Sequence, residues 1–173
     1  VGGKGERRFH HSESWIFFNK KPSTIYNNTN TMAPKKKIKT ETFTKQNVSW
    51  NEYMIQRYVY EQHVVNVPKV LSYNETTKTL VMTKIPQMCI ADMYGDSPEN
   101  TPTHLFEEVR AILTNLRDIG INYPDISPYN FIEHNDQVWI IDFGHASIVS
   151  KQYNPFMVKF IEEGHNGWNP EYK

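Results

Sequence analysis

The sequence predicts an α+β fold of two lobes, in which a small antiparallel β lobe precedes a mainly helical lobe. In the first half, short runs of β-branched and aromatic residues alternate with turn residues, as in strands and hairpins. In the second half, apolar residues recur at helical spacing after Thr101. The 173 residues suffice for two small lobes. We predict a flexible arm over residues 1–14, the β lobe over 15–85 and the helical lobe over 86–173.

Composition narrows the classes of function. Nineteen Lys and Arg balance nineteen Asp and Glu, so the chain has no net charge, and we expect no nucleic-acid or membrane partner. Cys89 is the lone cysteine, which excludes an intrachain disulfide and favours a reducing compartment. No apolar run approaches the ~20 residues of a membrane span, and the first residues lack the apolar core of a signal peptide. These features predict an intracellular, cytoplasmic protein.

The first strands of the β lobe are predicted from turn chemistry. Residues 15–18 and 24–26 indicate a hairpin around the polar residues 19–23. The glycines before it, Gly2, Gly3 and Gly5, fit a flexible arm better than a nucleotide-covering loop, because no strand precedes them. A third strand is expected over residues 35–43.

A helix is expected from Ser49 to about His63, because an N-cap residue precedes an apolar-periodic segment. Ser49 and Glu52 also match a capping box, in which the Glu side chain returns to the N-cap N–H. Strands over 70–73 and 79–82 follow, joined by a polar turn, and a short helix over 88–94 ends at Gly95.

The clearest helix begins at Thr101–Pro102, with Thr101 as the expected N-cap, and ends near Gly120. One face of it is apolar and predicts a buried stripe. A last helix is expected from Pro155 to Glu163, and Trp168 is expected to anchor the segment after it. We predict that either this helix with Trp168 or a partner covers the stripe, which consists of Leu105, Phe106, Val109, Ile112, Leu113 and Leu116.

Two polar loops carry the chemistry. Asp125 is followed five residues later by Asn130, and Asp142-Phe143-Gly144 comes twelve residues after that Asn. Between them, Phe131-Ile132, a polar turn over 133–136 and the apolar run 138–141 predict a hairpin that brings the loops together. Phosphoryl transfer requires such a set, because a carboxylate orients the hydroxyl while an Asn and an Asp hold Mg²⁺.

On these residues the chain resembles the protein kinase-like superfamily, whose catalytic loop reads H-R-D-x-x-x-x-N and whose metal loop reads D-F-G. The compact RIO-type and aminoglycoside phosphotransferase-like kinases are the most similar. The resemblance implies ATP and Mg²⁺ as cofactors. It makes Asp125 the catalytic Asp and Asn130 and Asp142 the metal ligands.

The resemblance also assigns the nucleotide-binding residues. A lysine of the third strand, Lys39 with Lys37 as second choice, would bind the phosphates and pair with Glu52, for which Glu61 is the fallback. Met82 would be the gatekeeper before a hinge, residues 83–86. There the backbone N–H groups of Lys84 and Ile85 are expected to bind adenine, since Pro86 has none.

Departures from the family pattern leave two functions open. Tyr123-Pro124 replaces His-Arg, Ser127 replaces the catalytic-loop Lys, and the helical lobe is truncated, with no A-P-E motif. The favoured function is a minimal Ser/Thr kinase. The alternative is a catalytically inactive, kinase-shaped binding or structural protein, while a small-molecule kinase is less favoured because its large substrate lobe is missing. The composition suits a large DNA virus or a parasite, so a virion-associated location is the second expectation.

Overall fold

A three-stranded antiparallel sheet and one helix form the first part of the fold in a computed structural model, which describes residues 40–149 and 152–172. The expected arm, the first hairpin, Lys37 and Lys39 lie outside these residues. The strand order is β1–β3–β2, so the last strand lies in the centre. The elements are β1 (Thr42–Lys45), α1 (Trp50–Gln62), β2 (Val70–Asn74) and β3 (Thr79–Thr83).

β1 begins later than the predicted strand over 35–43. Its register on β3 runs from Thr42 opposite Thr83 to Lys45 opposite Leu80. Because side chains alternate along a strand, Phe43 and Lys45 share one face of the sheet. The strand therefore carries Lys45, two residues beyond the predicted end, to the face on which Phe43 lies.

The predicted helix after Ser49 is confirmed as α1. The Ser49 hydroxyl accepts the backbone N–H of Glu52 at 3.1 Å, and the helix ends at His63 in the left-handed conformation. Ile55 and Val59 are buried, whereas Met54 and Tyr58 are exposed. Only one half of the expected capping box forms, because the Glu52 side chain makes its contact elsewhere.

The second part of the described chain is built around one long helix, one small hairpin and one short two-stranded sheet. β5 pairs with β6, and β4 pairs with β7. The turn between β5 and β6 consists of Asn135 and Asp136, both with positive φ, so it is two residues shorter than the predicted turn over 133–136. The elements are α2 (Ile90–Tyr94), α3 (Thr103–Asp118), β4 (Ile121–Asn122), β5 (Phe131–His134), β6 (Gln137–Ile140), β7 (Ser147–Ile148) and α4 (Pro155–Glu162).

α3 forms the core of this second part. All six residues of the predicted stripe are buried. The expected N-cap is wrong, since Pro102 occupies that position and Thr101 instead lies buried with its hydroxyl 3.5 Å from the Ser97 carbonyl. A proline at the cap supplies no side-chain acceptor, so burial of the apolar stripe rather than capping stabilises this helix.

α4 and the segment after it cover α3, as predicted. The Phe106 ring of α3 lies 4.8 Å from the Trp168 ring and 6.3 Å from the Phe160 ring, measured between ring centroids. Met157, which the prediction did not include, is fully buried, while Phe156 is only half-buried. Among the described helices, none is long and apolar enough to cross a membrane.

Candidate active site

A cavity of about 330 Å³ lies between the three-stranded sheet and the β5–β6 hairpin. Its apolar walls come from the sheet and from the hairpin. Phe43 and Met82 belong to the sheet, Ile132 belongs to β5, and Ile141 directly follows β6. Four charged side chains line the same cavity: Lys84 at the hinge, and Lys45, Glu52 and Asp142, which lie together. Such a cavity can hold a flat apolar ring at one side and an anionic group at the other.

Lys45 joins two carboxylates at the charged side of the cavity. Its Nζ lies 2.6 Å from Oε1 of Glu52 and 2.8 Å from Oδ1 of Asp142. Glu52 comes from α1, Lys45 from β1 and Asp142 from the loop after β6, so the ion pairs connect two neighbouring elements to a loop that is distant in sequence. Because Glu52 is almost fully buried, its charge depends on Lys45 for compensation.

The environment keeps both Lys45 and Asp142 charged. Burial lowers the pKa of Lys45, but its hydrogen bonds and charge contacts with Asp142 and Glu52 outweigh burial and raise that pKa above 10.5. Burial acts to raise the pKa of Asp142, but the Lys45 hydrogen bond, the Gly144 N–H and the Lys45 charge outweigh it and lower that pKa below 3.8. The site therefore presents an ionised carboxylate and an ammonium group at neutral pH.

Asp142 has a backbone conformation that few non-glycine residues adopt. Its φ is +60°, in the left-handed region, and its Oδ1 accepts the N–H of Gly144 at 3.0 Å. A Cβ on Gly144 would lie 3.1 Å from that oxygen and 3.6 Å from Oε2 of Glu52. Strain of this kind persists only where the surroundings enforce it, and it is concentrated at functional sites.

Tyr123 fixes the loop of Asp125 to the loop of Asp142. The side chain is completely buried, and its hydroxyl lies 2.8 Å from the carbonyl oxygens of both Ile141 and Asp142, which share its single proton. Burial, followed by the charges of Asp125 and Asp142, raises the pKa of Tyr123 well above 10. The hydroxyl is therefore a permanent donor, and the tyrosine that departs from the family pattern has a structural role.

Asp125 and Asn130 lie on the loop that enters β5. The Asn130 amide donates to the Asp125 carbonyl at 3.1 Å, which fixes the loop and leaves the Asn130 side-chain oxygen available. Oδ2 of Asp125 lies 3.0 Å from Nδ1 of His145, three residues beyond Asp142. Asp125 and Asn130 line a neighbouring cavity of about 400 Å³ rather than the cavity that contains Lys45.

The expected hinge lies at the edge of the first cavity, with one change to the expected donors. Met82 is buried, and the Gln56 amide donates to the Pro68 carbonyl at 3.1 Å and lies 3.4 Å from the Met82 sulfur. The N–H of Lys84 donates to the Glu41 carbonyl at 3.0 Å, as part of the β1–β3 pairing. It is therefore not free for adenine, and Ile85 supplies the remaining expected donor.

Lys45, which pairs with Glu52 and Asp142, was not named by the sequence analysis, and Lys39, which it named for the pairing with Glu52, lies outside the described residues. A lysine-rich stretch over residues 35–39 with an I-K pair drew the assignment toward the N-terminal side. The alternation of Phe43 and Lys45, directly before the polar turn that leads to Ser49, is the sequence signal that could have indicated Lys45 as the partner of Glu52. Gln56 and Tyr123 were also not predicted to contact the site, because their partners are distant in sequence.

Oxygen ligands suited to Mg²⁺ are present, although they do not form a complete cage. In the part of the chain that the structure describes, no cluster of three or more His, Cys, Asp or Glu side chains is arranged to hold a metal ion. Asp142 is ionised, and no hydrogen bond within the described ranges engages its Oδ2. A carboxylate and an amide oxygen fit Mg²⁺, which is usually completed by water and substrate phosphates.

Comparisons with known proteins give one family match and distant structural neighbours. The family model of the RIO domain matches residues 9–162, whereas a comparison with curated proteins found no match. Among solved structures, the Cydia pomonella granulovirus kinase PK-1 is 14% identical, with a TM-score of 0.49 over 67% of this chain and 47% of that chain. The Rio2 kinase–ADP/Mg²⁺–phosphoaspartate complex from Chaetomium thermophilum is 17% identical, with a TM-score of 0.47 over 65% of this chain and 34% of that chain.

The chain therefore spans less than half the length of either solved protein. The family match, by contrast, covers most of the chain, from before the first described strand to the last residue of α4. It agrees with the Asp125, Asn130 and Asp142 spacing that first indicated the superfamily. The chain belongs to the RIO domain family, an atypical branch of the protein kinase-like superfamily.

Proposed function

We propose that the protein is a minimal kinase that uses ATP and Mg²⁺ and transfers the γ-phosphoryl group to a Ser or Thr hydroxyl. The observation that carries the proposal is the double ion pair of Lys45 with Glu52 and Asp142, at the charged side of a cavity with apolar walls. A lysine held between two carboxylates keeps a fixed position and charge. It can then hydrogen-bond a phosphate oxygen without a large loss of side-chain entropy.

The nucleotide would lie in the 330 Å³ cavity, with its base between the sheet and the hairpin. Met82 closes the apolar end, and Ile132 and Ile141 contact the base from the hairpin side. The Ile85 N–H supplies a directional hydrogen bond to the ring. The phosphates then extend toward Lys45, since it is the cationic side chain in this cavity that lies beside Asp142.

Asp142 and Asn130 would hold Mg²⁺, which neutralises part of the phosphate charge when it is bound. Asp142 supplies a carboxylate whose lowered pKa keeps it ionised well below neutral pH. Asn130 supplies its side-chain oxygen, since its amide nitrogen is used by the Asp125 carbonyl. The left-handed backbone at Asp142 and the Tyr123 hydroxyl keep these ligands in place before the nucleotide arrives.

Asp125 would accept the hydrogen bond of the attacking hydroxyl and orient its oxygen toward the phosphate. Its carboxylate is fixed by the His145 contact, so it needs little rearrangement when the acceptor binds. Ser127, which replaces a lysine of the family pattern, offers no charge to the γ-phosphoryl group. Charge stabilisation is a large part of phosphotransferase catalysis, so we expect a slow enzyme.

Transfer from γ-labelled ATP to a Ser- and Thr-containing protein substrate, or to the enzyme itself, tests the proposal. We expect label incorporation by the wild type and a loss of about 10²–10⁴-fold in Asp125→Ala. Asp142→Ala should abolish it, while Asp118→Ala, at the exposed end of α3, should behave like wild type. Equal incorporation by wild type and Asp142→Ala would contradict the proposal.

Nucleotide binding separates the kinase from the inactive, kinase-shaped alternative. A competent site at 100-fold excess of Mg-ATP over its Kd stabilises the fold by about 2.7 kcal/mol, which a thermal melt detects. Absence of any shift at millimolar Mg-ATP, together with absence of transfer, would favour the binding or structural function.

A further inference from the structure

The neighbouring cavity, about 400 Å³ in volume, is open to the carboxylate that would orient the acceptor hydroxyl. Asp125 and Asn130 line it from the catalytic loop, as does Tyr129, which is half exposed. Glu171 and Tyr172 line it from the opposite side. This cavity therefore gives an acceptor a route to Asp125 between the catalytic loop and the segment after α4.

This segment, residues 168–172, is fixed to the catalytic loop. Asn169 is 1% exposed, its side-chain amide donates to the Pro124 carbonyl at 2.8 Å, and its backbone N–H donates to the Ile126 carbonyl at 2.8 Å. Its side-chain oxygen accepts the N–H of Glu171 at 3.1 Å. The wall of the cavity is thus formed before any acceptor binds.

A larger cavity of about 760 Å³ adjoins the 400 Å³ cavity, because Tyr129 and Tyr172 line both. Together the two cavities form a groove, which we call the acceptor groove. It extends from Asp125 along the segment after α4 to the 3₁₀ turn Pro98–Asn100. Asp96 and Glu99 line its far end.

The charge of the acceptor groove is negative. Four carboxylates line it: Asp125 and Glu171 near the catalytic loop, and Asp96 and Glu99 at the far end. Against these four negative charges, one lysine, Lys159, is among the described lining residues. His145 and His165 also line it, and His145 contacts Asp125. Among the described residues, no cation lies within ion-pair distance of Asp96, Glu99 or Glu171. A hydrogen bond from the Ser97 hydroxyl lowers the pKa of Glu99, which keeps that carboxylate ionised.

A buried donor in the wall adds a polar feature. Trp168 lines the groove and is 8% exposed, and its indole N–H has no hydrogen-bond partner among the described residues. Unpartnered buried donors are rare, so this N–H marks a polar group in the wall that the described residues leave without an acceptor.

We propose that the acceptor groove binds a cationic peptide segment, with Lys or Arg residues on one side of the phosphorylated Ser or Thr. This inference rests on the proposed function, since the groove takes its direction from Asp125. The carboxylates attract the Lys or Arg side chains, and the faces of Tyr129 and Tyr172 contact them by cation–π interaction. The same negative charge opposes nucleic acid and acidic peptides.

Binding of two labelled peptides to the full chain tests the inference without relying on catalysis. The peptides have the same length and the same central Ser, and they differ only in carrying Arg or Glu at the flanking positions. Fluorescence anisotropy should give a Kd for the Arg peptide about tenfold or more lower than for the Glu peptide, with the preference weakening at high salt. The double variant Asp96→Lys/Glu99→Lys should lose this preference. Glu75→Lys, which reverses an exposed charge in the β2–β3 turn, should retain it.

Equal binding of the two peptides by the wild type, or an unchanged preference in the double variant, would overturn the inference. Mg-ATP binding is measured on the same samples, so the two hypotheses can fail separately. A wild type that binds Mg-ATP but shows no preference leaves the proposed kinase standing and removes the cationic acceptor. A variant that melts like wild type excludes misfolding as the cause of lost binding, and Glu171→Lys gives a second, independent reversal of groove charge.

Discussion

At the residue scale, the charge state of the site depends on Lys45. The ammonium group is the common partner of Glu52 and Asp142, and it contributes most to the lowering of the Asp142 pKa. The stability that Asp142 contributes is therefore present above its ordinary pKa of 3.8 and is lost as the pH falls through its lower folded value. The Lys45 contribution is present below 10.5 and is lost as the pH rises through its higher folded value.

The first prediction concerns this coupling. In Lys45→Met, the pKa of Asp142 should rise relative to wild type, because desolvation remains while the largest opposing contact is gone. A titration of the side-chain carboxyl carbon shift by NMR measures it. An unchanged Asp142 pKa would show that the Gly144 N–H and His145, rather than Lys45, set the charge of this carboxylate.

The second prediction concerns the buried hydroxyl of Tyr123. Tyr123→Phe leaves the Ile141 and Asp142 carbonyls without this donor, which should reduce the free energy of unfolding by about 1–3 kcal/mol. Urea denaturation measures the loss. Tyr58→Phe is the matched control, since its exposed hydroxyl lies 3.4 Å from a carbonyl and its removal should have little effect. A Tyr123→Phe stability equal to wild type would contradict the role assigned to this hydroxyl.

At the element scale, α1 places Glu52, and Ser49 fixes the first turn of α1. The Ser49 hydroxyl accepts the N–H of Glu52, while the carboxylate of Glu52 extends to Lys45. The backbone N–H of Glu52 therefore takes part in the helix cap, while its carboxylate takes part in the site. A second contact, from the Asn51 amide to the Ala146 carbonyl at 3.2 Å, joins this turn to the segment after Gly144.

The third prediction is that Ser49→Ala destabilises the protein by about 1 kcal/mol and weakens Mg-ATP binding as well. Ser49→Asp, which can accept the same N–H, should restore both. Differential scanning calorimetry and titration calorimetry on the two variants measure the effects. Weakened nucleotide binding that Ser49→Asp fails to restore would show that the cap does not position Glu52.

Several elements were predictable from the sequence because their determinants are local. The stripe of α3, the 70–83 hairpin and the turn before β6 depend on periodicity and turn residues a few positions apart. The spacing of Asp125, Asn130 and Asp142 identified the candidate loops for the same reason. The N-cap of α3 was mispredicted because Thr101 and Pro102 match a common helix start, whereas here burial of Thr101 moves the start by one residue.

Contacts that depend on how strands and loops pack together were not predictable in the same way. Sequence patterns did not show that β1 would place Lys45 beside Glu52. They also did not show that the Lys84 N–H would donate to the Glu41 carbonyl. Both depend on the register of β1 on β3, which is set by packing across the sheet. The contact between Asp125 and His145 likewise requires two loops to be placed by the core beneath them.

At the scale of the whole molecule, the segment after residue 151 is integral to both core and site. Met157 and Phe160 are fully buried, and Trp168 packs on Phe106 and Phe131. Asn169 joins the same segment to the catalytic loop. Loss of this segment would uncover the apolar stripe of α3 and leave the loop of Asp125 without its wall.

The fourth prediction is therefore that ending the chain after Ser150 gives an insoluble product or one without a cooperative melt. Burial of several aromatic side chains stabilises a fold by more than the typical net stability of a domain. Without them, the folded state should therefore be less stable than the unfolded state. Solubility and circular dichroism melting of the fragment measure this. A soluble fragment 1–150 that melts cooperatively would show that the core is completed by other residues.

The central claim is that Lys45, Glu52 and Asp142 form the phosphate-binding side of a nucleotide site. Titration calorimetry with Mg-ATP on wild type, Lys45→Met and the exposed control Lys69→Met tests it most directly. Loss of the charge-assisted hydrogen bonds should weaken binding by about ten- to hundredfold in Lys45→Met, and Lys69→Met should bind like wild type. Equal affinity of Lys45→Met and wild type for Mg-ATP would contradict the claim.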